Sequence, residues 1–404
     1  MGDVLSKNST KPLSGVTSMQ NLGKQANRSR GFVRRKIPGK EDLLNFDLKP
    51  EYFPEDFFRW DITVTRGNDV RRHVFFATEK QMTYLAMATE WRIDSTFKLV
   101  SPPFTQLFSI HSTVNLGGKE KQYALAYVVM SGKRKEDYQQ VFEEIVKTLE
   151  DEQGLTVKVK SFMLDYEVAT WQAIREVFGD DIKIRGCWFH FSQAIIRKMH
   201  SLGLMGAYIN RGEVHKFAKQ LTVLPLLDAD QIPVTFQYMV EKVCETYQYS
   251  VADYYNPDKR HSKEAPAMIQ VFQYFESQWI DGKNFNPKDW SCYRKDVRTN
   301  NTVESWHSKV NKVGGNKGMH IFKLGSFFFD QTEQVEKIDM RLLMCGVHDN
   351  YKKAGQTKIN ARINKLWKDY EAGLKPWSLV KQAANILVPY IPVDVQNDVF
   401  GVAL

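Results

Sequence analysis

A membrane span is missing from this sequence: in 404 residues no apolar run approaches the roughly 20 that cross a bilayer as a helix. The start also lacks the apolar core of a secretory signal, so a soluble, intracellular chain is expected. Cysteine is scarce. The four cysteines, at 187, 244, 292 and 345, form no disulfide framework and suit a reducing compartment. Acidic residues are nearly absent from residues 1–40, where Asp3 faces nine Lys or Arg, so 9 − 1 = +8 of the net +9 sits there. With Ser, Thr, Asn and Gly filling the rest, residues 1–45 are expected to form a disordered basic arm. Its focus, "RSRGFVRRKIPGK" (28–40), offers Arg34, Arg35 and Lys36 either as a nuclear-import signal or as phosphate contacts. The opening "MGDVLS" also fits the short Gly2 and Ser6 pattern of myristoylation, which arises easily by chance.

What is present suffices for one large core or two smaller ones, with 43% hydrophobic and 13% aromatic residues. "HVFFAT" (73–78) predicts a short strand, and residues 79–91 a helix with Met82, Leu85 and Ala86 on one face. Three antiparallel strands follow at 92–100, 106–114 and 122–130, with hairpin-turn chemistry in "NLGGK" (115–119). A helix over 135–152 carries an apolar stripe through Tyr138, Val141, Phe142, Ile145, Val146 and Leu149. "TVKVKSFMLDYE" (156–167) reads as a buried parallel strand with Asp165 at its carboxyl end, where ligand and catalytic groups concentrate. A helix (168–178), a strand (181–190) and a helix (191–204) come next, then helices and loops to about 290.

This order is ribonuclease H-like: a mixed α/β sheet of three antiparallel and then two parallel strands, flanked by helices and interrupted by a large all-helical insertion. In such a sheet the first strand is central and neighbours the fourth, which brings Asp94 toward Asp165 across 165 − 94 = 71 residues. A third acid, Glu304, lies 304 − 165 = 139 residues further on, in "VRTNNTVESWHSKVNK" (297–312). The plain reading of that stretch is a helix start in which Asn301 caps and Glu304 reaches back to it. Val303, Trp306, Val310 and Val313 form its expected buried stripe. Beside the stripe, Glu304, His307 and Asn311 share one edge. From Arg294 to Lys323, seven Lys or Arg outnumber Asp296 and Glu304, a balance suited to a polyanion.

Three converging carboxylates repel one another unless a cation holds them ionised. Oxygen donors favour Mg²⁺ or Mn²⁺, and two such ions serve in-line phosphoryl displacement, the reaction of both strand cleavage and strand joining. Each acid also has a structural reading: Asp94 as a polar residue on the face of Arg92, Thr96 and Lys98, Asp165 as a turn or cap, with Glu167 as an alternative ligand.

"DSTF" at Asp94, "LDYE" at Asp165, "GCWFHFSQA" around Cys187 and "TNNTVESWHSKVN" around Glu304 resemble, in order and spacing, the successive blocks of Mutator-like element (MULE) transposases over roughly residues 60–330. The resemblance implies a DDE transposase core with Asp94, Asp165 and Glu304 as ligands of two Mg²⁺ or Mn²⁺ ions. It also implies DNA cleavage and strand transfer, with a homo-oligomer on transposon ends and target; the basic arm points to the nucleus, otherwise to the cytoplasm. Cys187 and His190 occupy the family's Cys-x-x-His position. They make either half of a zinc site completed by residues such as Cys292, His200, His215 or Cys244, or a buried thiol with His190 at the active-site mouth; the second is preferred. His307 is either a satisfied structural histidine or a phosphate donor. No cysteine precedes Cys187 to form the family's upstream zinc module, which points to a shortened copy or to a separate end-recognition protein. The alternative function is a transposase-derived DNA-binding or regulatory protein without turnover. The expected divisions are the arm (1–45), a first catalytic part (46–190), a helical insertion (191–290), the Glu304 segment (291–340) and a helical C-terminal extension (341–404).

The arm's charge generates a test. Removing residues 1–40 should weaken DNA binding similarly across sequences. The slope of log affinity against log salt should become shallower by about 0.9 for each duplex phosphate that the arm neutralises. An unchanged slope would show that the arm neutralises none.

Overall fold

A computed structural model describes residues 44–116, 118–259, 262–315, 318–339, 354–387 and 395. Arg34, Arg35, Lys36, Gly2 and Cys345 lie outside the described residues. The chain forms an α/β fold on one seven-stranded mixed sheet. Its strands are β1 (Phe58–Arg66), β2 (Asp69–Phe76), β3 (Glu90–Thr96), β4 (Gln106–Leu116), β5 (Lys119–Met130), β6 (Ser161–Leu164) and β7 (Lys183–Gly186). They are ordered β1-β2-β5-β4-β3-β6-β7. The strands β3, β4 and β5 pair antiparallel, while β6 joins β3 and β7 joins β6 in parallel. The expected neighbours, β3 and β6, are therefore adjacent.

The sheet is larger than the five-strand expectation because the β1–β2 hairpin pairs onto β5. Of that hairpin, the sequence pattern predicts the second strand alone. Its turn holds Gly67 at φ +59, a conformation glycine adopts without penalty, and Trp60 packs on Phe75 with ring centroids 5.1 Å apart. Several elements are also shorter than expected. The helix begun at 79 ends at Met87, because Ala88 turns extended to lead into β3. Ahead of β6, the amides of Lys158 and Lys160 bond to the carbonyls of Ala86 and Thr89, so residues 156–160 are committed to the α-to-β connection and not to the sheet. Likewise β7 stops at Gly186, and the next helix starts two residues later, at Trp188.

Helices α1 (Glu79–Met87), α2 (Lys135–Lys147) and α3 (Val168–Phe178) cover one face. Their core gathers Phe108, Phe142, Phe162 and Phe178 around Trp91, with edge-to-face pairs that suit aromatic quadrupoles. A helical lobe follows: α4 (Trp188–Ser201), α5 (Glu213–Val223), α6 (Ile232–Thr246) and α7 (Ala267–Phe275), centred on Phe191, Phe275 and Trp290. Then α8 (Asn301–Gly314) and α9 (Ile321–Gln334) return to the sheet's second face, packing Val310, Leu324 and Phe328 toward Phe76, Leu107 and Tyr127. The last helices, α10 (Ala354–Glu371) and α11 (Pro376–Ile386), bury Ile363, Trp367 and Leu379 in the lobe's core. No helix among the described residues is long and apolar enough to cross a membrane.

The lobe is joined to the sheet through Tyr166, immediately after Asp165. Its ring meets Trp279 and Phe285 edge-on, with centroids at 4.7 and 5.2 Å. Its other neighbour is Gly186, where an added Cβ would lie 2.2 Å from the tyrosine ring. Gly186→Ala should therefore cost about 1–3 kcal/mol, as overpacking does. Urea unfolding checks this, and pairing it with Tyr166→Ala should destabilise by less than the two single effects added together.

Candidate active site

The parallel register fixes the first two acids. Glu90 pairs with Ser161, Trp91 with Phe162 and Arg92 with Met163. Two residues further, 92 + 2 and 163 + 2, the same register sets Asp94, within β3, beside Asp165, just past the end of β6. Helix α8 lies along β3 and is tied to it three times. Asn300 Nδ2 donates to the Ile93 carbonyl (3.0 Å), His307 Nδ1 to Asp94 Oδ2 (3.1 Å) and Asn311 Nδ2 to Thr96 Oγ1 (2.8 Å).

Those ties replace the expected cap. The N-cap is Asn300, whose side chain is spent on β3 and makes no capping bond, and Glu304 does not reach back to it. The buried stripe also differs. Val303, His307 and Val310 are buried, whereas Trp306 is half-buried and Val313 is 58% exposed. The face of α8 that meets β3 has to answer the Asp94 carboxylate, so an imidazole takes the central place that an apolar stripe would fill. His307 is thus a buried partner of Asp94.

Glu304 instead faces the start of α4. Cys187, the N-cap of that helix, donates its thiol to Glu304 Oε1 at 3.7 Å and accepts the Asn300 amide at 3.2 Å. His190, one turn on and half-buried, brings Nε2 to 4.0 Å from Asp94 Oδ1, while its Nδ1 is buried without a hydrogen-bond partner. Donor atoms of Cys187, His190 and Glu304 lie within 4.8 Å of one another. Among the described residues, neither Cys244, Cys292, His200 nor His215 joins that set, and neither do Asp94 and Asp165 at this spacing.

The acids differ in proton affinity. Burial works to raise the Asp94 carboxyl, but the hydrogen bond and charge of His307, with the charge of His190, hold it below its ordinary value. Burial pushes Asp165 up to about 6, against His190 and with the charges of Asp94 and Glu167. Burial and Asp94 push Glu304 up to about 8, only partly offset by the Cys187 thiol. Burial also raises the Cys187 thiol, which keeps it protonated and unlike a ready metal thiolate. One ionised carboxylate and two reluctant ones therefore share the end of the sheet.

Residues 90–194 match the family model described as the MULE transposase domain, a span that contains Asp94, Asp165, Cys187 and His190 and ends before Glu304. Over that span the chain is similar to the MULE transposase domain. No curated protein and no solved structure matches the chain.

Within the matched span, sequence reasoning missed Ser109 and His111. Both are buried on β4, and Ser109 Oγ stands 3.0 Å from His307 Nε2 and 3.0 Å from His111 Nε2. The signal was present, since Ser109 and His111 alternate with apolar residues on a strand that pairs Ser109 with Asp94 and His111 with Arg92. Asn300 was likewise passed over, although it is nearly inaccessible and ties α8 to both β3 and Cys187.

The raised Glu304 carboxyl predicts a pH dependence in metal-free buffer. Below its unfolded value near 4.5 both states hold the proton, and stability is unaffected. As pH rises toward about 8 the unfolded chain ionises while the folded site keeps its proton, so wild type loses stability across that window. Glu304→Gln removes the linkage, and its melting temperature should pull ahead of wild type from about pH 5 to about pH 8 by a few degrees. A difference constant with pH would overturn the assignment.

Proposed function

We propose that this chain is a metal-dependent DDE transposase core, ribonuclease H-like in arrangement, that cleaves and joins DNA strands by in-line phosphoryl transfer. The observation that carries this reading is the closeness of Asp94 to both Asp165 and Glu304, whose carboxyls burial and the Asp94 charge push up in proton affinity. The adjacency of β3 and β6 and the match to the MULE transposase domain support it.

The donor set suits a hard divalent ion: carboxylate oxygens dominate, the one nearby thiol is held protonated, and the unpartnered His190 Nδ1 marks a polar site with unused capacity. Asp94, Asp165 and Glu304 would hold two Mg²⁺ or Mn²⁺ ions. When bound, such ions supply activation of the attacking oxygen and stabilisation of the leaving oxygen. The chain's own residues do the rest. His307 orients Asp94, Cys187 orients Glu304, and His190 stands at the mouth beside Asp94, able to donate to a phosphate oxygen. The basic surroundings of α8 and the arm with Arg34, Arg35 and Lys36 favour DNA as the partner and a nuclear location.

Incubating the purified chain with its flanking terminal repeats and Mn²⁺ should give nicked product. Asp94→Asn, Asp165→Asn and Glu304→Gln should each reduce nicking about 10²–10³-fold or more while DNA binding persists, the scale on which removing one group that stabilises transition-state charge acts. Wild-type nicking by any of them would remove that residue from the site, and binding without nicking by the unaltered chain would favour a transposase-derived DNA-binding protein.

A further inference from the structure

Behind Asp94 runs a closed chain of buried polar groups. Asp94 Oδ2 accepts from His307 Nδ1 at 3.1 Å, His307 Nε2 meets Ser109 Oγ at 3.0 Å, and Ser109 Oγ meets His111 Nε2 at 3.0 Å. The serine hydroxyl also points back at the Asp94 backbone carbonyl, 3.3 Å away. All four residues are at most 7% exposed. Trp306 closes the end of the chain by packing edge-on to His111 with centroids 5.1 Å apart.

Hydrogen accounting makes the chain directional. A carboxylate only accepts, so His307 Nδ1 carries a hydrogen, and its ring plane is set by the bond its other nitrogen makes to Ser109. Ser109 has one hydrogen to give: a neutral His307 that donates from Nδ1 accepts it at Nε2, and the serine oxygen in turn accepts from His111 Nε2–H. A buried hydroxyl and two buried imidazoles are costly in a core unless they are paired, and here they are paired in series and end on a single carboxylate oxygen. The other oxygen, Oδ1, accepts the Ser95 amide at 2.9 Å, lies 4.0 Å from His190 Nε2 and keeps a second lone pair.

We propose that Ser109 and His111 are positioning residues that act through His307 to turn the Asp94 carboxylate, so that Oδ1 is the oxygen it offers to a divalent cation. This rests on the reading of Asp94 as a metal-binding acid. Outer partners of this kind commonly alter metal affinity by about 10–100-fold when removed.

The test is Mn²⁺ binding by the full chain, followed by the electron paramagnetic resonance signal of free Mn²⁺, with melting temperature measured alongside. Ser109→Ala should weaken Mn²⁺ binding about 10-fold or more. Ser109→Thr, which keeps the hydroxyl, should restore most of it, and His111→Gln should fall between. Asp94→Asn separates the two levels of the argument. If Asp94→Asn loses Mn²⁺ while Ser109→Ala and His111→Gln bind it as wild type does, the positioning role is wrong and the site reading stands. If Asp94→Asn itself binds Mn²⁺ normally, the site reading fails first. A lowered melting temperature with unchanged Mn²⁺ affinity in Ser109→Ala or His111→Gln would reduce the chain to a structural one.

Discussion

A buried carboxylate on an interior strand, Asp94 of β3, is the constraint on which the rest of this arrangement depends. Taking the Asp94 charge out of water costs several kcal/mol in a protein interior unless it is paired and hydrogen-bonded. The fold meets that cost with a helix placed for the purpose. His307 stands against Asp94, and the flanking ties from Asn300 to Ile93 and from Asn311 to Thr96 hold α8 parallel to β3 over its length. Since Glu304 belongs to the first turn of the same helix, the interaction that makes Asp94 tolerable also places the third acid.

Bringing α8 back after more than a hundred residues of helical lobe raises a second requirement, because loop closure alone fixes no geometry. The return is registered by hydrogen bonds to the strand and helix that the chain left. Arg185 at the end of β7 donates to the Val297 carbonyl, Trp188 donates its amide to the Arg298 carbonyl, and the Asn300 amide donates to Cys187. The lobe therefore leaves and re-enters between residues that touch, so its size need not disturb the acids. Tyr166, packed between Gly186 and the aromatic side chains of Trp279 and Phe285, ties the lobe to the residue beside Asp165.

Much of this was legible because it rests on local period and on topology. The stripe of α2 and the apolar run of β6 are one-dimensional patterns, and the 71-residue interval between Asp94 and Asp165 is the same offset that pairs Arg92 with Met163. What escaped rests on partners distant in sequence. The capping reading of Asn301 and Glu304 failed because Asn300 found a better acceptor on β3 and Glu304 a thiol on α4, neither of which is visible from within the helix. His307 stayed open between a satisfied structural histidine and a phosphate donor for the same reason: its burial is decided by Asp94, 213 residues earlier. The β1–β2 hairpin was missed despite a Gly-Asn turn between two strand-like runs, a signal that local reading could have used.

The three acids end in different electrostatic conditions, and that difference follows from who their neighbours are. Asp94 has an imidazole in contact and is kept ionised; Asp165 senses one at longer range and is pushed up; Glu304 has only a thiol, and is pushed up furthest. A thiol can donate one weak hydrogen bond but brings no charge, so it orients Glu304 without neutralising it. If the proposed cations bind here, the protein has supplied fixed compensation for one carboxylate and left the other two for the ions. An arrangement that compensated all three with its own cations would be more stable when empty, and it would have no charge left with which to hold a metal.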